Sequence, residues 1–112
     1  MAKKSTAQTF ADDVQKAPLV VADFWAEWCA PCKMMEPVLQ QLEQAFQPEI
    51  AAGQIKFLKV DVEHNQELAL KQNIMNIPAL LIFKHGLAKE KVTGYRKYSD
   101  MQAYLKQKLT EI

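Results

Sequence analysis

The sequence is poor in the residues that staple or punctuate a chain. In 112 positions it has two cysteines, three glycines and two histidines. The cysteines, Cys29 and Cys32, cannot staple a fold. The loop they would close is so short that the unfolded chain loses little entropy by it. The histidines, His64 and His85, lack the spacing that would complete a zinc site with them, and both read as polar residues near turns. No run approaches the ~18 apolar residues of a membrane span. The basic start, Met1-Ala2-Lys3-Lys4, has no apolar stretch behind it, so no secretory signal is expected and the reducing cytoplasm is the expected compartment. Neither sign of charge is in excess: 14 Lys+Arg face 13 Asp+Glu, a net +1. That balance removes the electrostatic reason for nucleic acid or an anionic membrane as the main partner. The small basic spots, Lys3-Lys4 and Lys106/Lys108, read as solvated surface. Repeats, low-complexity tracts and Pro/Gly/Ser-rich linkers are missing too, which leaves one domain over residues 1–112 as the expectation.

What remains is ordinary globular composition, 49% hydrophobic and 24% charged. A chain of this length buries roughly two-thirds of its unfolded surface and needs no staple. The pattern alternates between helix and strand. Thr9-Phe10-Ala11-Asp12 predicts a capped short helix that Pro18 ends. Leu19–Trp25 is a nearly continuous apolar, β-branched and aromatic run, as expected of a strand buried on both faces; Asp23 inside it is an anomaly. From Pro31 to Phe46, Met35, Val38, Leu39, Leu42 and Phe46 keep helical spacing, with Pro37 as an interruption. Ile55–Val62 reads as a strand and Gln66–Gln72 as a polar helix. Ala79–Phe83 is a second buried strand, turned by Lys84-His85-Gly86 into a partner near Lys89–Thr93. Ser99-Asp100-Met101-Gln102 is a capping box for a last helix carrying Met101, Tyr104, Leu105 and Leu109 on one face. This order predicts an α/β fold with a mixed central sheet of four or five strands and about four helices on its two faces.

Sites in such sheets form at the carboxyl ends of strands. The first apolar strand runs straight into Trp28-Cys29. Cys29 precedes a helix whose free N–H groups and dipole favour a thiolate, the nucleophilic form of cysteine. Pro31 suits a first helical turn, where its missing donor costs nothing. Cys32 follows one turn on, within reach of Cys29 and expected to be the more buried of the two. An exposed Cys29 thiolate could attack a partner's disulfide, and Cys32 could then resolve the mixed disulfide. The spacing alone leaves half of a zinc site open as an alternative. The Met34/Met35 pair reads as helix packing rather than a soft-metal site.

The segment Val21-Ala22-Asp23-Phe24-Trp25-Ala26-Glu27-Trp28-Cys29-Ala30-Pro31-Cys32-Lys33 resembles the active-site segment of the thioredoxin family. Pro37, Lys59-Val60-Asp61-Val62, Ile77-Pro78, Phe83-Lys84-His85-Gly86 and Gly94 extend the likeness over about residues 9–109, the expected core. The resemblance implies a thioredoxin fold and a protein dithiol–disulfide oxidoreductase that reduces disulfides in target proteins. It implies Cys29 as nucleophile, Cys32 as resolving thiol, Asp23 as buried proton acceptor and Lys59 as its neighbour. The alternative for Asp23 is a hydrogen-bonded acid that fixes local geometry; for Lys59 it is a strand lysine reaching to solvent. The resemblance implies a cis Ile77-Pro78 bond beside the cysteines. The substrate-contacting residues would be Trp28, Ala30, Pro31, Ile77, Pro78 and Gly94, with Trp28 an apolar rim and Trp25 a packing residue. It further implies no bound cofactor and no metal, reducing equivalents from NADPH through a thioredoxin reductase, disulfide-containing protein partners, and a monomer. Ala30, Ala79 and Tyr95 depart from the family's usual glycine, threonine and small residue. They bear on potential and substrate preference. Rival readings are an oxidase or isomerase on the same fold and a redox-independent adaptor.

Overall fold

The computed structural model describes residues 2–112. Its elements are β1 (Lys3–Lys4), α1 (Phe10–Asp13), β2 (Leu19–Trp25), α2 (Ala30–Ala45), α3 (Gln47–Ala51), β3 (Ile55–Asp61), α4 (Gln66–Lys71), β4 (Ala79–Lys84), β5 (Leu87–Thr93) and α5 (Tyr98–Leu109). The strands form one mixed sheet in the order β1-β3-β2-β4-β5. β3 runs parallel to both β1 and β2, whereas β4 runs antiparallel to β2 and β5. The mixed sheet expected from the alternating pattern is present. One helix more than expected appears, because Pro48 opens the short α3 directly after α2.

Strand side chains alternate between faces, and the two cores follow that parity. Leu19 and Val21 of β2 join Ile55 and Phe57 of β3 and Leu80 and Ile82 of β4 against Met35, Val38, Leu39 and Leu42 of α2 and Met101 and Leu105 of α5. Val20, Ala22 and Phe24 take the other face with Leu58, Val60, Leu81 and Phe83, covered by Phe10 and Val14 at α1 and Leu68 of α4. Phe10 meets Phe24 and Phe83 edge-on, with ring centroids 5.9 and 5.5 Å apart. Each fully buried large side chain of this kind is worth about 1.5–3 kcal/mol. By the same alternation Asp23 falls on the face that α2 covers, beneath the cysteines.

Two expected caps are not made. Thr9 occupies the N-cap of α1 without a side-chain cap bond; its hydroxyl instead accepts from the Thr6 N–H at 3.0 Å. α5 begins at Tyr98, with Lys97 at its cap and no side-chain bond, so Ser99 lies inside the first turn rather than before it. Apolar packing of Met101 and Leu105 holds that end in place of a cap. α2 is continuous through Pro37. Of the methionine pair, Met35 packs in the core but Met34 is exposed. The β4–β5 hairpin turns on His85 and Gly86, both at positive φ (50° and 82°), the turn that matches strand twist. A side chain at position 86 would also crowd Gln15.

The edge strand β1 has only two residues, so a side-chain anchor matters. Asp13, 1% exposed, accepts from the Ser5 hydroxyl at 2.8 Å and from the Lys3 ammonium. Burial pushes its pKa up, but the bonds from Lys3 and Ser5 outweigh that and hold it below the ordinary carboxylate range. A depressed folded pKa contributes stability above the unfolded value that is lost as pH falls through the folded one. Ser5→Ala should cost about 1–3 kcal/mol in urea unfolding at pH 7, the penalty of an under-satisfied buried acceptor. Asp13→Asn should flatten the acid side of the stability–pH profile; an unchanged acid limb would refute the anchor.

Candidate active site

β2 delivers the chain to the site at its carboxyl end. Ala26 is buried and its carbonyl accepts from the Cys29 N–H at 3.2 Å, closing a turn. Cys29 is the N-cap of α2, extended at φ −92° and ψ 106°, with Ala30 and Pro31 as the first helical residues. Its sulfur accepts the Cys32 N–H at 3.2 Å. That bond satisfies one of the free donors of the helix start and favours negative charge on Cys29. Cys29 and Cys32 are joined as a disulfide, their Cα atoms 5.3 Å apart.

Both cysteines are buried, 4% and 7% exposed. The expected contrast, an exposed Cys29 and a more buried Cys32, does not hold in the disulfide form. The pair packs with Ala26 against Trp25, Val62 and Ile77, so residues distant in sequence close over both sulfurs. The Ile77–Pro78 bond is cis, and the Ile77 carbonyl oxygen lies 3.8 Å from Cys29 Sγ. The Gly94 N–H donates to the Pro78 carbonyl at 2.7 Å, with Gly94 at φ +87°. Thus the Ile77-Pro78 loop meets Cys29, which Trp28 and Ala30 flank in the chain, and the Gly94 turn is tied to that loop through Pro78. The rim is apolar: Trp28 is 68% exposed, and Met75 and Tyr95 are exposed beside the other two loops. Sequence reasoning missed Met75, which is one polar neighbour away from Ile77 and otherwise looks like a helix-end residue.

On the inner side, Asp23 is 6% exposed and its Oδ1 has no hydrogen-bond partner among the described residues. Burial pushes its pKa up to about 7; Lys59 pulls it down and Glu36 adds to the rise. Lys59 sits opposite Asp23 in the β2–β3 register, and its ammonium lies 4.9 Å from the Trp25 ring centroid. A cavity of about 320 Å³ is lined by Asp23, Trp25, Glu27, Cys32, Lys33, Glu36 and Lys59, so the carboxyl group and Cys32 share it. A second opening of about 510 Å³ reaches Asp23 between α2 and β3. Glu36 lines both and was not singled out from sequence, although its place one turn beyond Cys32 puts it on the same helix face.

Among the described residues no three His, Cys, Asp or Glu side chains gather as a metal site. His64 lies on the surface, bonded through Nδ1 to Asp61 at 2.8 Å.

The comparisons with known proteins agree with this geometry. The thioredoxin family model matches residues 1–107. The thioredoxin of Bacillus subtilis (strain 168) is 40% identical over 99 residues, 88% of this chain and 89% of its own length. Thioredoxin C-2 of Corynebacterium nephridii is 42% identical over 106 residues, 94% of each chain. The thioredoxin of Staphylococcus aureus (strain MW2) is 37% identical over 102 residues, 91% of this chain and 92% of its own. With the paired cysteines at the start of α2, these findings make the chain a dithiol–disulfide oxidoreductase of the disulfide-reductase type. The chain belongs to the thioredoxin family.

Proposed function

We propose that the chain reduces protein disulfides by a two-step exchange in which Cys29 attacks, Cys32 resolves and Asp23 takes the proton that Cys32 must lose. The observation that carries this reading is the shared cavity of Cys32 and an unpartnered, buried Asp23. In the first step the Cys29 thiolate bonds to one sulfur of the substrate disulfide. The substrate's S–S bond breaks, and its other sulfur leaves as a thiolate that takes a proton from solvent. In the second step the Cys32 thiol gives its proton to the Asp23 carboxylate, through water for which the cavity has ample room. The Cys32 thiolate then attacks Cys29 Sγ: the Cys29–Cys32 bond forms, the bond from Cys29 to the substrate sulfur breaks, and that sulfur leaves as a thiolate that takes a proton from solvent. Two electrons have passed from the cysteine pair to the substrate.

The pKa of Asp23 near 7 suits this task, since a base poised near the working pH both accepts and returns a proton. Lys59 would tune it by charge from the neighbouring strand. Trp28, Ala30, Pro31, Ile77, Pro78 and Gly94 would receive an extended substrate segment, with the Ile77 backbone offered as in strand addition. Residues 1–112 would act as one domain and as a monomer. The oxidised pair would be returned to the dithiol by NADPH through a thioredoxin reductase, in the cytoplasm, with no bound cofactor. No helix among the described residues is long and apolar enough to cross a membrane.

Cys32→Ser should stall the reaction after the first step, so that a protein disulfide substrate accumulates as a covalent adduct on Cys29, visible by mass spectrometry and released by dithiothreitol. Adduct formation on residue 32 of a Cys29→Ser variant instead would reverse the assignment. Asp23→Asn should slow the resolving step by about 100-fold at pH 7 while raising stability. An acid whose folded pKa is raised to about 7 keeps a proton that the unfolded chain releases from its ordinary value near 3.8. Wild-type stability therefore falls as pH rises between those values and levels off above. At pH 8 the variant should gain up to about 4 kcal/mol in urea unfolding, and below pH 4 nearly nothing. A gain independent of pH would contradict the titration of Asp23.

A further inference from the structure

Glu36 lies outside this two-step scheme, yet it lines both openings that lead to Asp23. It is exposed on α2, one turn beyond Cys32, while the next residue before it, Met35, is buried in the core. We propose that Glu36 is a positioning residue for the resolving step: its carboxylate, standing at the mouth of the cavity shared by Asp23 and Cys32, holds the proton on Asp23 and so sets the pH at which Cys32 is deprotonated. The kinetic part rests on the reading of Asp23 as proton acceptor; the coupling of Glu36 to Asp23 does not.

The argument is one of charge placement. Asp23 shares its face of the sheet with the buried Val21 and Leu80, so its charge is poorly screened from within. The charged groups that line the two openings with it are Lys59 from β3, Lys33, Glu36 and Glu43 from α2, and Glu27 from the loop before the cysteines. Lys59 favours the carboxylate and Glu36 opposes it, the two charges acting on Asp23 in opposite senses. Field lines from a charge at the rim of a low-dielectric cleft are focused along the cleft rather than lost to solvent. A surface carboxylate on α2 can therefore reach a group on the central strand. Lys59 and Glu36 together would then centre the proton affinity of Asp23, and removal of Glu36 would leave Lys59 unopposed.

The direct test is a carbon-13 NMR titration of the Asp23 carboxyl in the oxidised protein, comparing wild type with Glu36→Gln and Glu36→Asp. Glutamine keeps the size and helix preference of the side chain, so the fold is preserved. The Glu36→Gln midpoint should move to lower pH, a loss of proton affinity on the order of twofold or more, and Glu36→Asp should restore most of it. The pH profile of mixed-disulfide resolution, followed by stopped-flow Trp fluorescence with a reduced enzyme and a model protein disulfide, should move by the same amount, making Glu36→Gln the faster enzyme below neutral pH. An Asp23 midpoint unchanged by Glu36→Gln overturns the proposal. A midpoint that moves while the rate profile stays fixed overturns the role of Asp23 as proton acceptor and the kinetic part of the proposal with it.

Discussion

β2 is buried on both faces, and that constraint organises the molecule. It has no solvent side on which a polar residue could be placed: Leu19 and Val21 enter one core, Val20, Ala22 and Phe24 the other, and Asp23 is buried among them. Its hydrogen-bond partners run parallel on one edge and antiparallel on the other, which lets the chain enclose it with helices from both directions. The strand's carboxyl end is thereby fixed relative to α2, and the cysteine at the start of α2 inherits a position set by the whole sheet rather than by its own loop.

Within that strand a carboxyl group is a cost that packing cannot remove. Asp23 could relieve it by accepting hydrogen bonds or by pairing closely with a cation, and neither is complete: Oδ1 has no partner among the described residues, and Lys59 leans over the Trp25 ring. The remaining relief is to stay protonated, which burial enforces up to about pH 7. The same unfavourable placement that strains the fold thus supplies a group able to exchange a proton near neutrality. Perturbed acids of this kind cluster where a site needs one, at a cost in stability.

The outer half of the site obeys different physics. Cys29 gains its reactivity from helix-end donors, a local property of the chain, but its surroundings are assembled from three loops. The Ile77 carbonyl, the Gly94 N–H and the exposed Trp28 ring come together only because β4 lies between β2 and β5 in the sheet.

The residues of this chain determined a good deal by themselves. The period of the apolar residues identified β2, α2, β3, β4 and α5 within a residue or two. The residue pattern placed Cys29 at a helix start, and an acid in an apolar run marked Asp23 as anomalous. Those features are local: hydrophobic periodicity, a chain's own free N–H groups and the cost of burying a charge are all written in neighbouring positions. The two capping boxes were equally local and were not used, because apolar packing of Phe10 and of Met101 and Leu105 placed those helix starts without them. What only the tertiary structure decided was the burial of both sulfurs beneath Ile77 and Val62, the cation of Lys59 against Trp25, and the place of Glu36 at the openings to Asp23. Each depends on strand register and on how α2 lies across the sheet, and such distances between residues far apart in the chain have no counterpart in its local spacing.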